Sequence, residues 1–382
     1  MQAEIYSLKN PIYIHDASLV SPLGENGFES ASALFCHHEG TAVGKVDQAT
    51  EQAITDLREE NAHYQKLDRS TILAMLAARQ LKLVDKDVAI NVGSSRGATG
   101  IWEEFHAGFV KTGQVPVPTS PLTTLGNISS WIAQDLGTQA AAFSHSITCA
   151  TAAHSILNAI AWLESGMATA FIAGGAEAPL TDFTIAQMKA LRIYSQESGD
   201  YPCRALDMEK TSNQMILGEA AACFVLSKKP ASTKIKITGY GTSIENLTSA
   251  TSVSNDGIGF QHTMKQAMED QKLQDIDAII THAPATLQGD RSELAAIKAV
   301  FGELHPQLCN NKWQIGHTLG ASAAVNLFMA VQMLTTAQIP AIPYVSDSFV
   351  NPRERSVIPR KILINASGFG GNCVSILVEK EL

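Results

Sequence analysis

The chain has few of the features that would assign it at once. Its six cysteines, at 36, 149, 203, 223, 309 and 373, include no C-x-x-C pair. Zinc-type spacing is therefore absent, and so few thiols in 382 residues do not make a disulfide framework. Packing or catalysis is left for each of them, and no metal is expected. Lysine and arginine number 28 against 37 acidic residues, a formal charge of −9, with no basic run to offset it. That balance argues against a nucleic-acid binder. No uninterrupted apolar run is long enough to cross a bilayer. The opening MQAEIYSLKN has no basic region followed by an apolar core. No membrane partner and no secretory leader are expected, and the expected location is cytoplasmic.

What is present describes a globular chain, with 45% hydrophobic and 17% charged residues. Its length allows one large domain or two ordinary ones. Short apolar strands are predicted at 11–21, 88–92, 140–148, 169–173, 219–226, 234–239, 277–281, 362–366 and 374–378. Helices are predicted at 27–35, 68–83, 125–136, 262–271, 293–301 and 320–334. The stretch 183–207 reads as an irregular, polar excursion. Strands alternating with helices throughout imply α/β layering around mostly buried sheets. The glycines of 93–100 are spaced G-x-x-x-G-x-x-G, which is not the dinucleotide spacing, and no acidic residue is placed to hold a ribose.

Three stretches carry chemistry. The first, 144–178, reads as a strand, a turn bearing Cys149, a helix with Ile156, Leu157, Ile160 and Leu163 on one stripe, a stop at Gly166, and a second strand. A thiol at a helix N-terminus meets unpaired N–H groups and the positive end of the dipole, which favour the thiolate. Taken alone, a cysteine in an apolar run is more often a small buried hydrophobe. The second stretch is an apolar strand that delivers His282, followed by Pro284, Thr286, Asp290 and Glu293. The third is Lys312-Trp-Gln-Ile-Gly316-His317, ahead of a helix. Both histidines stand where an apolar element meets a turn of small residues, a common place for active-site groups in α/β folds. A Cys–His hydrolase is the poorer reading, because His154 lies five positions after Cys149 and faces elsewhere on the helix.

Together, C-A-T-A-A-H at Cys149, the His282…Thr286…Asp290…Glu293 segment, K-x-x-x-G-H-x-L-G-A at 312–321 and G-F-G-G at 368–371 resemble the β-ketoacyl-ACP synthases of the thiolase-like fold. The likeness runs over nearly the whole chain from the S-P-L-G turn at Ser21, and the run at 290–303 is most like the elongating type I/II enzymes. It implies a layered α/β/α/β/α architecture with two mixed sheets. It also implies a single domain over 1–382 built of two pseudo-repeated halves. About 1–230 would carry the cysteine, and about 231–382 the two histidines and the lysine.

The resemblance implies decarboxylative Claisen condensation of an acyl thioester on Cys149 with a malonyl thioester, in a type II fatty-acid or polyketide pathway. His282 and His317 would assist loss of CO2 and hold the enolate oxygen. Lys312 would support them, with Glu293 as its charge partner and Asp290 nearby. Phe369 would be the gate beside the cysteine, and its N–H with that of Cys149 would form the oxyanion hole. Thr286 would bind the pantetheine arm. No cofactor is implied, since substrates ride on the phosphopantetheine of an acyl carrier protein. Lys66 and Arg69, and more weakly Lys210, would offer a basic patch to that acidic partner. The strand preceding the cysteine would pair subunits in a homodimer or a heterodimer.

The sequence departs from the family pattern in three places. His282-Ala-Pro284-Ala-Thr286 stands where His-Gly-Thr-x-Thr is usual, so proline replaces one hydroxyl. Ser367-Gly-Phe369-Gly-Gly-Asn372-Cys373 and the segment 204–215 also differ from the usual pattern. These changes suit a specialised enzyme or the alternative reading, a chain-length-factor-like subunit that pairs with a catalytic ketosynthase.

Overall fold

In the computed structural model, the described residues are 8–381 apart from 25–26, 29, 126, 247–248, 250–252, 270, 303–305, 348 and 351–357. The sequence readings that touch 1–7, 29, 270 and 303 lie outside them.

The first part of the chain contains β1 (Ile12–Val20), the small hairpin β2 (Cys36–His38) and β3 (Thr41–Val43), α1 (Gln48–Glu60) and α2 (Arg69–Arg79). It continues through β4 (Ala89–Gly93), α3 (Thr99–Thr112), α4 (Thr119–Thr123), α5 (Asn127–Leu136) and β5 (Ala142–Phe143). It ends with α6 (Thr151–Ser165), β6 (Ala170–Glu177), α7 (Asp182–Ala190) and β7 (Ala220–Ser227). The second part runs β8 (Ile235–Ile244), α8 (Ile258–Ala267), β9 (Ala278–Ile280), α9 (Leu287–Phe301) and β10 (Gln307–Cys309). The short α10 (Lys312–Ile315), α11 (Ser322–Thr336), β11 (Lys361–Gly368) and β12 (Asn372–Lys380) complete it.

Two five-stranded sheets share one strand order. The first runs β5-β4-β6-β7-β1 and the second β10-β9-β11-β12-β8. In each, the first three strands are parallel and the last two antiparallel to their neighbours. A short pairing of Ile12 with Ile237 and Tyr13 with Lys236 joins β1 to β8, so the hydrogen bonds run on as one ten-stranded array. Helices α6 and α11 pack against each other between the sheets. Each is alanine-rich where they are buried, which lets the helix axes approach closely. The run Leu319–Thr336 has the length and composition of a membrane span but is interrupted by polar residues, and it is 72% buried, chiefly as this central helix.

Burial accounts for both the agreements and the misses. Helix α6 buries Ile156, Ile160 and Leu163 and stops at Gly166 in the left-handed region, φ 78°, as the sequence predicts. Strand β6 is wholly buried and needs glycine at 174, where a Cβ would meet the Ala222 carbonyl oxygen at 2.1 Å. The helix expected at 27–35 is absent among the described residues. Leu34 N–H instead donates to Gln314 O, and the Gln314 amide donates to the carbonyls of Phe28 and Ser30. Helices α1 and α3 escape sequence detection because α1 buries only Ile54 and Leu57 and α3 buries nothing. The 183–207 excursion begins with α7, capped by the Thr181 hydroxyl. Of the strand expected at 140–148, only Ala142 and Phe143 join the sheet, and Ile147 forms an isolated bridge with Cys149.

Arg69 is locked inside this layer. It donates to both carboxylate oxygens of Glu51 and both of Glu219, at 2.7–3.0 Å, and Glu219 is 1% exposed. It thus ties α1 and α2 to the segment entering β7 and is not free for a carrier-protein patch. Arg69→Met leaves the buried Glu219 carboxylate without its cation and is expected to lower unfolding free energy by about 3 kcal/mol, read from guanidinium titration. An unchanged midpoint would contradict this role.

Candidate functional site

Cys149 sits in the turn before α6. Thr148, just before it, has φ 47°, a left-handed conformation uncommon for a branched residue. The turn is held from both sides. The Thr151 hydroxyl donates to Thr148 O (2.6 Å) and accepts from Ile147 N (2.8 Å), and the Thr148 hydroxyl donates to Phe369 O (3.1 Å). Gly368 presses against the same turn. A Cβ there would stand 2.1 Å from Thr148 Oγ1 and 3.0 Å from the Cys149 amide nitrogen. The glycine-rich turn between β11 and β12 is thereby fixed beside the cysteine, with no side chain at 368 to cover that amide.

The helix dipole does not decide the thiol's state. Cys149 is 8% exposed, and burial pushes its thiol up to about 12, with the Glu177 carboxylate adding to the rise; the nearby Lys312 and Arg96 cations oppose it. Desolvation of an anion outweighs a partial helix charge, so the resting group is the thiol and not the expected thiolate.

His282 follows β9, where the Glu293 carboxylate accepts from the amides of His282 (2.9 Å) and Ala283 (2.7 Å) and from Asn365 Nδ2 (3.0 Å). His317 is placed by its backbone: its N–H donates to Ile216 O (2.7 Å), and its carbonyl accepts from Gly218 N (3.1 Å). Gly316 permits this with φ 82°, where any Cβ would collide with the Leu217–Gly218 peptide. The two rings meet edge to face, with centroids 5.3 Å apart. Neither Nδ1 has a hydrogen-bond partner. Burial lowers both imidazoles well below their ordinary value, and the Lys312 charge lowers them further. Both rings are neutral at pH 7, each offering one N–H.

Lys312 opens α10, and its backbone N–H donates to Asn310 Oδ1 (2.8 Å). Its ammonium is 1% exposed and has no hydrogen-bond partner. Burial lowers it to about 8, against the pull of Glu293 and Asp290. Glu293 is therefore not a contact partner of the lysine, as the resemblance implied. It braces the His282 turn and acts on Lys312 only through space. Asp290 is bonded elsewhere, to Lys210 Nζ at 2.7 Å, with side-chain exposures of 0% and 1%. Lys210 is thus interior and no surface patch. Lys66, at the end of a short 3-10 turn, is exposed.

Cys149, His282, His317, Phe369, Thr286 and Pro284 all line one cavity of about 270 Å³, walled also by Met188 and Met215. His154 is not among its lining residues. Thr286 caps α9 by accepting from Gly289 N (3.2 Å), which leaves its hydroxyl proton for the cavity. Pro284 offers neither hydroxyl nor N–H. Phe369, 40% exposed, stands at the opening.

Sequence reasoning missed Glu177. Fully buried at the end of β6, it accepts from Ser94 Oγ, Ser95 N, Arg96 N and Gly320 N at 2.7–3.1 Å. It joins the turn after β4 to the turn ahead of α11, and burial raises its carboxyl to about 7. A carboxylate closing an otherwise apolar strand was the available signal, since such a group needs partners.

Comparison with known proteins agrees with this constellation. Residues 73–231 match the family model described as beta-ketoacyl synthase, N-terminal domain, and 235–345 match beta-ketoacyl synthase, C-terminal domain. The 3-oxoacyl-[acyl-carrier-protein] synthase 2 of Staphylococcus aureus is 27% identical over 343 residues, covering 82% of each chain. The ishigamide ketosynthase/chain length factor superposes with a TM-score of 0.81 at 19% identity, covering 98% of this chain and 100% of that one. A ketosynthase in complex with its chain length factor from Xenorhabdus doucetiae gives 0.80 at 20% identity, covering 97% and 98%. The layered thiolase-like α/β fold follows.

An uncompensated buried ammonium costs stability. The folded-state value of Lys312, about 8, lies below that of an ordinary lysine, about 10.4. The unfolded chain therefore binds more protons between those values, and wild-type stability gains from this group as pH rises through that window. At pH 7 the gain is absent. Lys312→Met is expected to raise the unfolding free energy at pH 7 by about 1–2 kcal/mol, read from guanidinium titration, and to lose that advantage towards pH 10. A lower midpoint at pH 7 would contradict it.

Proposed function

Because the chain belongs to the β-ketoacyl synthase family, we propose that it is a condensing enzyme that joins an acyl group held on Cys149 to a malonyl thioester, in a type II fatty-acid or polyketide system. The observation that carries this reading is the convergence of one buried thiol and two neutral imidazoles on a single cavity.

In this reading, Cys149 Sγ attacks the carbonyl of an acyl thioester. The C–S bond to the phosphopantetheine sulfur breaks, and the thiol proton ends on that leaving sulfur. A proton must leave Cys149 as the new bond forms, since burial keeps the resting group a thiol. The amides of Cys149 and Phe369 would hold the developing oxyanion. A malonyl thioester then enters, and its C–C bond breaks to release CO2. The electron pair becomes an enolate, whose oxygen accepts N–H donors from His282 and His317. Neutral imidazoles suit that task, because each can donate while keeping an uncharged ring next to Lys312. The enolate carbon attacks the acyl carbonyl, and the bond to Sγ breaks to leave a Cys149 thiolate, which takes its proton from solvent water. The product is a 3-oxoacyl thioester two carbons longer. Phe369 at the opening serves as the gate, and Thr286 supplies a hydroxyl to the pantetheine arm. No step requires a metal or a cofactor.

Substrates would arrive on an acidic acyl carrier protein, with Lys66 as the remaining candidate contact of the expected patch. A second ketosynthase-fold subunit would cover β5, which stands at the open end of the array. It would also cover the exposed apolar face of α3, where Trp102 is 51%, Phe109 49% and Val110 69% exposed. The solved complex of a ketosynthase with its chain length factor supports a heterodimer. All six cysteines are unpaired, in keeping with a cytoplasmic, reducing setting. Pro284 in the cavity wall favours a second reading, a chain-length-factor-like subunit with a weakened grip on the pantetheine arm.

Incubation with acyl-loaded carrier protein followed by intact mass spectrometry separates the two. The condensing enzyme gains one acyl mass, and Cys149→Ala gains none. Acylation of a co-purified partner subunit, with this chain unlabelled and product formation surviving Cys149→Ala, would overturn the catalytic reading.

A further inference from the structure

Outside the residues that meet the cavity, one buried charge pair has no assigned role. Lys210 Nζ donates to Asp290 Oδ2 (2.7 Å) and to Asp207 O (3.0 Å), and the same Asp290 oxygen accepts from Leu206 N (2.9 Å). The other oxygen, Oδ1, is buried with no partner, and so is the ammonium of Lys312. Asp290 and Glu293 lie one turn apart on α9, and Asp290 and Lys312 are near enough for each to shift the other's protonation. A buried carboxylate oxygen and a buried ammonium, both unsatisfied and mutually attractive, would ordinarily close into an ion pair. They do not. Glu293 does not take the lysine either; its oxygens serve the His282 and Ala283 amides and Asn365.

We propose that Lys210 is a positioning residue that occupies Asp290 and so keeps the Lys312 ammonium unpaired, its charge left to act on His282 and His317. Lys210 supplies the positive charge Asp290 needs, anchored with the 206–210 turn on Oδ2. With that demand met, Asp290 does not draw Lys312 out of place, and the charge of Lys312 stays directed at the histidine pair. Remove Lys210, and Lys312 is the cation that remains to act on Asp290. This inference rests on the condensing reading only for its effect on turnover; the capture itself is a structural event.

The test uses the full chain with malonyl-pantetheine as probe and CO2 release as readout. Lys210→Met is expected to lower kcat at least about tenfold with KM unchanged, short of the 10²–10³-fold cost of deleting an oxyanion donor. Lys210→Arg restores it. Lys210→Met/Asp290→Asn, which removes the captor, recovers most of the loss, an outcome that a merely structural role for the pair would not give. Wild-type kcat in Lys210→Met, or a folded double variant no faster than the single one, overturns the proposal. Crystal structures of Lys210→Met read the same claim without turnover. Lys312 Nζ at about 3 Å from Asp290 supports it, and Lys312 left in place refutes it. Should wild type release no CO2, the condensing reading fails, while the structure still decides the role of Lys210. Should the single variant not fold, the double variant decides: activity within about tenfold of wild type is expected, and complete loss refutes the proposal.

Discussion

A lysine ammonium held in the protein interior without a contacting counter-ion is the constraint on which the site depends. Such a charge is costly, and proteins usually neutralise it by pairing or by releasing the proton. Here two carboxylates lie close to Lys312, and each is engaged elsewhere: Glu293 with two backbone amides and an asparagine, Asp290 with Lys210. The charge is therefore felt by whatever else is near. It reinforces the neutrality of His282 and His317 and partly offsets the burial of Cys149.

The fold delivers these groups by repeating one strand order. In each sheet the edge parallel strand leads on to a helix packed between the sheets, β5 to α6 in the first and β10 through α10 to α11 in the second, and the two helices pack against each other. Cys149 stands immediately ahead of one of these helices and the His317–Ala321 turn ahead of the other. Glu177 and Gly320 close the seam between them, since a Cβ at 320 would lie 2.6 Å from the Glu177 carboxylate. Stability and placement come from the same close approaches, so the glycines here are part of the site's geometry.

Much of this was legible in the sequence, for reasons that can be named. The stripe of α6, its glycine stop and the buried strands β6, β7, β11 and β12 carry strong apolar patterns, because both of their surroundings are protein. The ordered set of Cys149, His282, His317 and the glycine turn at 368 marks the cavity lining, and Lys312 lies buried outside that lining. What could not be read depends on partners distant in sequence. The segment 27–35 gives its backbone groups to Gln314, nearly three hundred residues on, and so is not a helix. Helix α3 has no buried residue, and its apolar side chains Trp102, Phe109 and Val110 are exposed. Arg69 and Lys210 look like ordinary surface cations until Glu219 and Asp290 are found opposite them. The helix dipole suggests a thiolate at Cys149, and only the three-dimensional burial shows that desolvation prevails.

The central claim is that Lys312 remains an interior cation of weakened basicity beside two neutral histidines. The direct measurement is a pH titration of lysine side chains by NMR, using chain labelled with ¹³C at lysine Cε, with Lys312→Met to assign the resonance. The account predicts one lysine titrating near 8, absent from the variant, with His282 and His317 uncharged throughout. A Lys312 signal titrating in the ordinary lysine range, above about 10, would contradict it.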